Sequence, residues 1–215
     1  IQLIMFSMGT EMSLKDFEGV IKMPKAVIIG LISHFTIMPL VAVVLANGLG
    51  FPPEIAAGVI LIGSVPSGVT SNVLAFIAKA NMPLSVTIAA ISTLVAPVMT
   101  PFLMKILAGQ YVEIDFVKMM LHVVEIILVP IALGLIINKL IRKGVKWLQT
   151  VMPIISMTGG WTMLVLIVSS GRDSLLALGA LLFLSSMIHH SIGYLLCYWS
   201  GRLIGLDERS CRTIS

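Results

Sequence analysis

Charge is what this sequence has least of. Only 11% of its 215 residues are Asp, Glu, Lys or Arg, where a soluble domain carries about a quarter. A water-facing shell cannot be built from so few, so lipid must be the solvent for most of the surface. Cysteine is nearly missing too: Cys197 and Cys211, both in apolar settings, exclude a disulfide framework. No His-Glu-x-x-His or paired-cysteine spacing occurs, which leaves a metalloenzyme without ligands, and an enzyme is not expected. The ten-residue alternating segments of a spanning barrel are absent, so strands are not expected. The basic residues sit in short clusters between apolar runs, which argues against nucleic acid as a partner. No cleavable signal precedes the first apolar run. Ile1 lies inside it, without a Met or a basic flank, so the chain reads as a fragment that begins within a helix.

What is present is apolar and long. Mean hydropathy is +1.06. Seven segments, at about 1–12, 24–46, 54–78, 83–108, 116–138, 151–170 and 174–204, reach or approach the ~20 residues a bilayer crossing needs, the first incompletely. Residues 1–215 therefore read as a single transmembrane domain, an all-α polytopic bundle. Fourteen Met and eighteen Gly suit close helix packing in lipid. Trp147, Trp161, Tyr194, Tyr198 and Trp199 suit anchoring at the interfaces. Alternate connections divide the basic residues unevenly, for only Lys105, Lys118 and Arg172 of the fourteen fall on one side. The other side is expected to be cytoplasmic. That places Ile1 toward the outside and Ser215 in the cytoplasm of a multi-pass cell (inner) membrane protein.

The second and seventh spans carry a trace of repetition. Aligning Gly50 with Gly205 sets His34 against His189, each sixteen residues upstream. The two spans leave the membrane on opposite sides, so the repeat is inverted, as in many secondary transporters. By that analogy a second broken helix is expected just after Ser215.

The third span holds the sequence GSVPSGVTSN, Gly63 to Asn72. Pro66 has no N–H and clashes with the preceding turn, while Gly63 and Gly68 are read as adding backbone freedom. Ser64, Ser67, Thr70, Ser71 and Asn72 bring five polar side chains to mid-membrane depth. The expectation is a discontinuous helix whose second half starts near Ser67. Its free N–H groups and positive dipole end would meet an anion, and freed carbonyls with Ser and Asn oxygens would suit a bare cation. The competing reading is a Pro-kinked helix with its hydroxyls bonded back to the backbone. On the next span Ser85, Thr87, Ser92 and Thr93 recur, each read alone as a packing hydroxyl.

Elsewhere, Glu125 is the acidic residue deepest in a span, with His122 one turn before it on the same face. It is read either as one half of a structural pair or as part of an ion path. His189 and His190 lie deep in the seventh span, where cavity lining and helix-to-helix hydrogen bonding compete.

These residues resemble the bile acid:sodium symporter family, of bacterial organic-anion transporter type. The match runs from MFSMGTEMSLKDF through GSVPSGVTSNVLAFIAKANMPLSVTIAAISTLVAPVMTP to HHSIGYLL and GLDERSCRTIS. The resemblance implies a fold of two inverted five-helix repeats with two broken helices crossing at mid-membrane. This chain would cover the end of the second helix through the eighth. Ser71, Asn72 and Ser85 then look like sodium ligands. A Thr expected one turn after Ser85 is Ala89, and a Gln expected at a second sodium site is His34. Val69 stands where relatives often offer a hydroxyl to substrate, and His190–Ser191 fits a family pattern of His followed by a small polar residue.

The implied function is sodium-coupled symport of a small organic anion by alternating access of a core bundle against a panel. Pro66, Ser67, Gly68, Val69, Thr70 and His190 are the candidate substrate residues. Ser71, Asn72 and Ser85 are the candidate sodium ligands, and His34 and Glu125 candidates for ion coupling. Na⁺ is the expected coupling ion, with H⁺ as the alternative because an imidazole is a poor Na⁺ ligand but a good proton carrier. A sodium-independent carrier of the same fold and a channel-like protein are the remaining alternatives.

Overall fold

The computed structural model describes residues 1–12, 18–141 and 146–215. Among the described residues every regular element is helical. In chain order these are α1 (Gln2–Glu11), α2 (Glu18–Lys22), α3 (Pro24–Gly48), α4 (Pro53–Ser64), α5 (Val69–Ile77) and α6 (Met82–Leu107). There follow α7 (Phe116–Val123), α8 (Val129–Ile141), α9 (Lys146–Ser170), α10 (Arg172–Leu203) and α11 (Glu208–Ile214). A helix or a helix pair overlaps each of the seven apolar segments. Pro24–Gly48, Met82–Leu107, Phe116–Lys139 and Arg172–Leu203 are long and apolar enough to cross a bilayer. The chain is an all-α, multi-pass membrane protein.

The chain forms two compact units. One comprises the described parts of Ile1–Leu14 and Leu121–Phe183; the other comprises Lys15–Met120 and Leu184–Ser215. In the first, α1 packs closely on α8. A Cβ on Gly9 would strike the Ile131 carbonyl, and one on Gly134 the Phe6 carbonyl, so this crossing depends on two residues without side chains. Asn138 donates from Nδ2 to the Met12 carbonyl at 2.9 Å, covering an acceptor left open at the end of α1. Between α7 and α8 a π-helical turn spans Val124–Leu128, closed by the Val129 N–H on the Val124 carbonyl. Pro130 follows at once. Lacking an N–H and crowding the carbonyl four residues back, it explains why the ladder slips there.

The second unit contains α2 to α6, the C-terminal part of α10, and α11. Its two corners are built alike. Gly50 (φ +61°) and Gly205 (φ +82°) both take the left-handed conformation two residues beyond the ends of α3 and α10. Each is followed two residues later by the N-cap of the next helix, Pro52 or Asp207. The Asp207 carboxylate accepts from the Ser210 N–H at 3.2 Å and so starts α11. The correspondence of His34 with His189 also has a structural counterpart. Both rings donate from Nε2 to a main-chain carbonyl, Val65 and Met38 respectively, at 3.0 Å.

Candidate functional site

The third span is broken where the sequence places the break. α4 ends at Ser64, and Val65 adopts φ −82°, ψ 156°, the extended region to which a following proline confines its neighbour. Pro66 and Ser67 are non-helical, and Gly68 (φ −87°, ψ 164°) is the N-cap from which α5 begins. The reading of the glycines needs correction. Gly68 has an ordinary extended conformation open to any residue, and a Cβ there would meet nothing within 4 Å. Gly63 serves a close approach instead, for its Cβ would lie 2.7 Å from the Met38 carbonyl oxygen and 3.0 Å from the Ala42 Cβ. The missing N–H of Pro66 and its effect on Val65 account for the break.

Two freed carbonyls on the α4 side find side-chain donors. Thr100 of α6 donates from Oγ1 to the Ser64 carbonyl at 2.8 Å, in a buried setting. His34 of α3 donates from Nε2 to the Val65 carbonyl at 3.0 Å. On the α5 side the N-terminus carries no side-chain cap, so its dipole end opens onto the break. Ser67 and Ser71 share a hydrogen bond between hydroxyls at 2.8 Å, and Ser71 Oγ also reaches the Gly68 carbonyl at 2.7 Å.

Of the candidate sodium ligands, Asn72 and Ser85 are brought together: Ser85 Oγ donates to Asn72 Oδ1 at 2.7 Å across α5 and α6. Ser85 is thereby set apart from Ser92 and Thr93 on the same helix, whose hydroxyls bond back to the Ala89 carbonyl at 3.0 and 2.8 Å. The side chains of Val69 and Thr70 lie outside the described set. His190 bonds Nδ1 back to the Ser186 carbonyl of its own helix at 2.8 Å. Its buried neighbour His189 reaches across to α3. Among the described residues no hydrogen bond or ion pair joins the side chains of His122 and Glu125, and both residues are exposed. Glu125 instead sits in the π-helical turn, in the unit that lacks the break. Among the described residues no group of three His, Cys, Asp or Glu is placed to hold a metal ion.

Sequence reading missed Thr100 and missed the engagement of the His34 ring. No local signal marks either, because their partners lie 36 and 31 residues away in the chain.

A helix interrupted by proline within a bundle of apolar spans defines a polytopic membrane protein with a discontinuous helix. Residues 1–178 match the Sodium Bile acid symporter family, and the chain belongs to that family. It is 40% identical over 213 residues to the sodium-dependent transporter YocS of Bacillus subtilis, covering 99% of this chain and 66% of that protein. It is 35% identical to the probable chloroplastic sodium/metabolite cotransporter BASS1 of Arabidopsis thaliana, covering 98% and 53% respectively. It is 30% identical to the human ileal sodium/bile acid cotransporter, covering 99% and 62%. The chain thus spans between about half and two thirds of the length of these curated relatives.

Proposed function

We propose that this protein is a secondary active transporter that carries a small organic anion by symport with sodium. The observation that carries the reading is the break at Val65–Gly68, where α5 starts uncapped beside a cluster of hydroxyl and amide oxygens. Such an N-terminus offers N–H groups and a positive dipole end to a carboxylate or sulfate held near Pro66, Ser67, Gly68, Val69 and Thr70. Ser71, Asn72 and Ser85 supply uncharged oxygens of the kind that replace the hydration shell of Na⁺. Sodium bound there would lower the cost of bringing an anion to the same break, which is thermodynamic coupling of the two ligands. The names of the relatives, sodium-dependent or sodium-coupled, support the same reading. The uneven distribution of Lys and Arg supports a cell membrane location with Ile1 toward the outside and Ser215 toward the cytoplasm.

The test is uptake of radiolabelled carboxylates and sulfonates by proteoliposomes holding the purified protein. Uptake should saturate with substrate and require an inward sodium gradient. Non-saturating flux, or uptake driven by a proton gradient without sodium, would overturn the proposal.

A further inference from the structure

The break exposes main-chain carbonyls at the end of α4, and a cation could in principle be coordinated by them. Two are already engaged. Thr100 Oγ1 lies 2.8 Å from the Ser64 oxygen and His34 Nε2 lies 3.0 Å from the Val65 oxygen. The donors come from opposite neighbours in the chain, α6 and α3, and they hold consecutive carbonyls. A carbonyl only accepts, so the His34 ring must carry its proton on Nε2 to make this bond. The α4 end is also fixed from behind. Gly63 leaves no room for a side chain against Met38, and the same Met38 carbonyl accepts from His189 of α10. Among the described residues no donor of this kind holds the α5 side, where Ser67 and Ser71 bond to each other and Gly68 supplies no side-chain cap.

We infer that His34 and Thr100 are positioning residues, two side-chain donors that pin the α4 end of the break and leave cation binding to the oxygens of α5 and α6. On this assignment His34 is neither a sodium ligand nor a proton carrier. Its imidazole replaces the N–H of Val69, which a continuous helix would bring to the Val65 carbonyl and the extended segment withholds. The α4 side then stays in place with or without an ion, and only the α5 side has to adjust around one. Among the described residues the His34 ring bonds to the Val65 carbonyl, and neither Glu54 on α4, Lys105 on α6, His189 on α10 nor Glu208 on α11 is hydrogen-bonded to it.

The inference rests on the transport reading for one of its two readouts, and the experiment separates them. The variants are His34→Ala, His34→Gln, Thr100→Val and Thr100→Ser, each in the full protein. Gln can place an amide N–H where Nε2 sits, and Ser retains the hydroxyl. Deuterium exchange over residues 61–72 in detergent should quicken in His34→Ala and Thr100→Val and stay near wild type in the other two. In proteoliposomes, His34→Ala should raise the sodium concentration for half-maximal uptake about tenfold, the effect of removing the donor from one main-chain carbonyl. His34→Gln should restore it and keep the wild-type pH profile. The inference fails if His34→Gln exchanges as fast as His34→Ala, if it changes the pH profile, or if His34→Ala exchanges like wild type. Absence of sodium-dependent uptake in the wild type would sink the transport reading alone, and the exchange comparison would still decide this one.

Discussion

Replacing Gly63 with Ala tests the packing that holds the break. The new Cβ would stand 2.7 Å from the Met38 carbonyl oxygen, 3.0 Å from the Met38 carbonyl carbon and 3.0 Å from the Ala42 Cβ. Ordinary contact begins at 3.4 Å, so α3 and α4 must separate by several tenths of an ångström. Two of the three obstacles are backbone and cannot swing aside. Moving Met38 also strains the His189 bond at 3.0 Å. Overpacking of this kind costs about 1–3 kcal/mol, against which Ala regains up to about 1 kcal/mol of helix propensity. Gly58 supplies the control. It lies on the same helix, and a Cβ there meets nothing within 4 Å, so Gly58→Ala keeps the propensity gain without the clash. The two variants should therefore differ by about 1–3 kcal/mol, or several degrees in the melting temperature of purified protein at about 2–4 °C per kcal/mol. Gly63→Ala melting at or above Gly58→Ala would refute the close approach of α3 and α4.

Three further outcomes are expected. Ser85→Ala leaves Asn72 Oδ1 without its donor at 2.7 Å and should weaken the sodium dependence of uptake about tenfold, as read from a sodium titration; an unchanged titration would remove Ser85 from the ion site. Lys79 holds a left-handed conformation (φ 53°) at the end of α5, with the Ala80 N–H on the Ala75 carbonyl. Lys79→Gly should therefore stabilise the protein by about 0.5–1 kcal/mol in thermal unfolding. Glu208 is kept below the usual carboxylate range, first by the Tyr198 hydroxyl and then by Arg212 and Arg202. A depressed acid contributes stability that is present above its ordinary value near 4.5 and is lost as pH falls through its folded value. Melting temperatures taken from pH 6 down to pH 3 should drop less steeply in Glu208→Gln than in wild type, and parallel curves would dissociate Glu208 from the acid response.

The break was legible because proline acts locally. Pro66 removes its own N–H and constrains Val65, and both effects are written in adjacent residues. The same reading went astray at Gly68, where composition suggested conformational freedom that the backbone does not use. Pro130 gave an equally local signal, yet its effect, a π-helical turn around Glu125, depends on how the ladder re-forms and not on the proline alone. Asp207 followed three residues on by Ser210 was a readable helix start, although α11 lay beyond the last expected span. What stayed hidden was the identity of partners across helices. Ser85 resembles Ser92 and Thr93 in sequence, and only the approach of α5 turns its hydroxyl toward Asn72.

The histidines show why that distinction matters for function. His189 and His190 are neighbours on one helix, yet residues one apart point about 100° from each other. One therefore reaches the Met38 carbonyl of α3 while the other bonds back to its own turn. A residue type that suggests proton traffic is in both His34 and His189 spent on a main-chain oxygen. In a bilayer this use has a direct reason, since an unpaired carbonyl at membrane depth costs several kcal/mol and no water is at hand to cover it. A broken spanning helix must therefore recruit donors from its neighbours. Each donor recruited occupies one of the two lone pairs of a carbonyl and fixes its direction, so the caps on a break help decide which of its sides can bind.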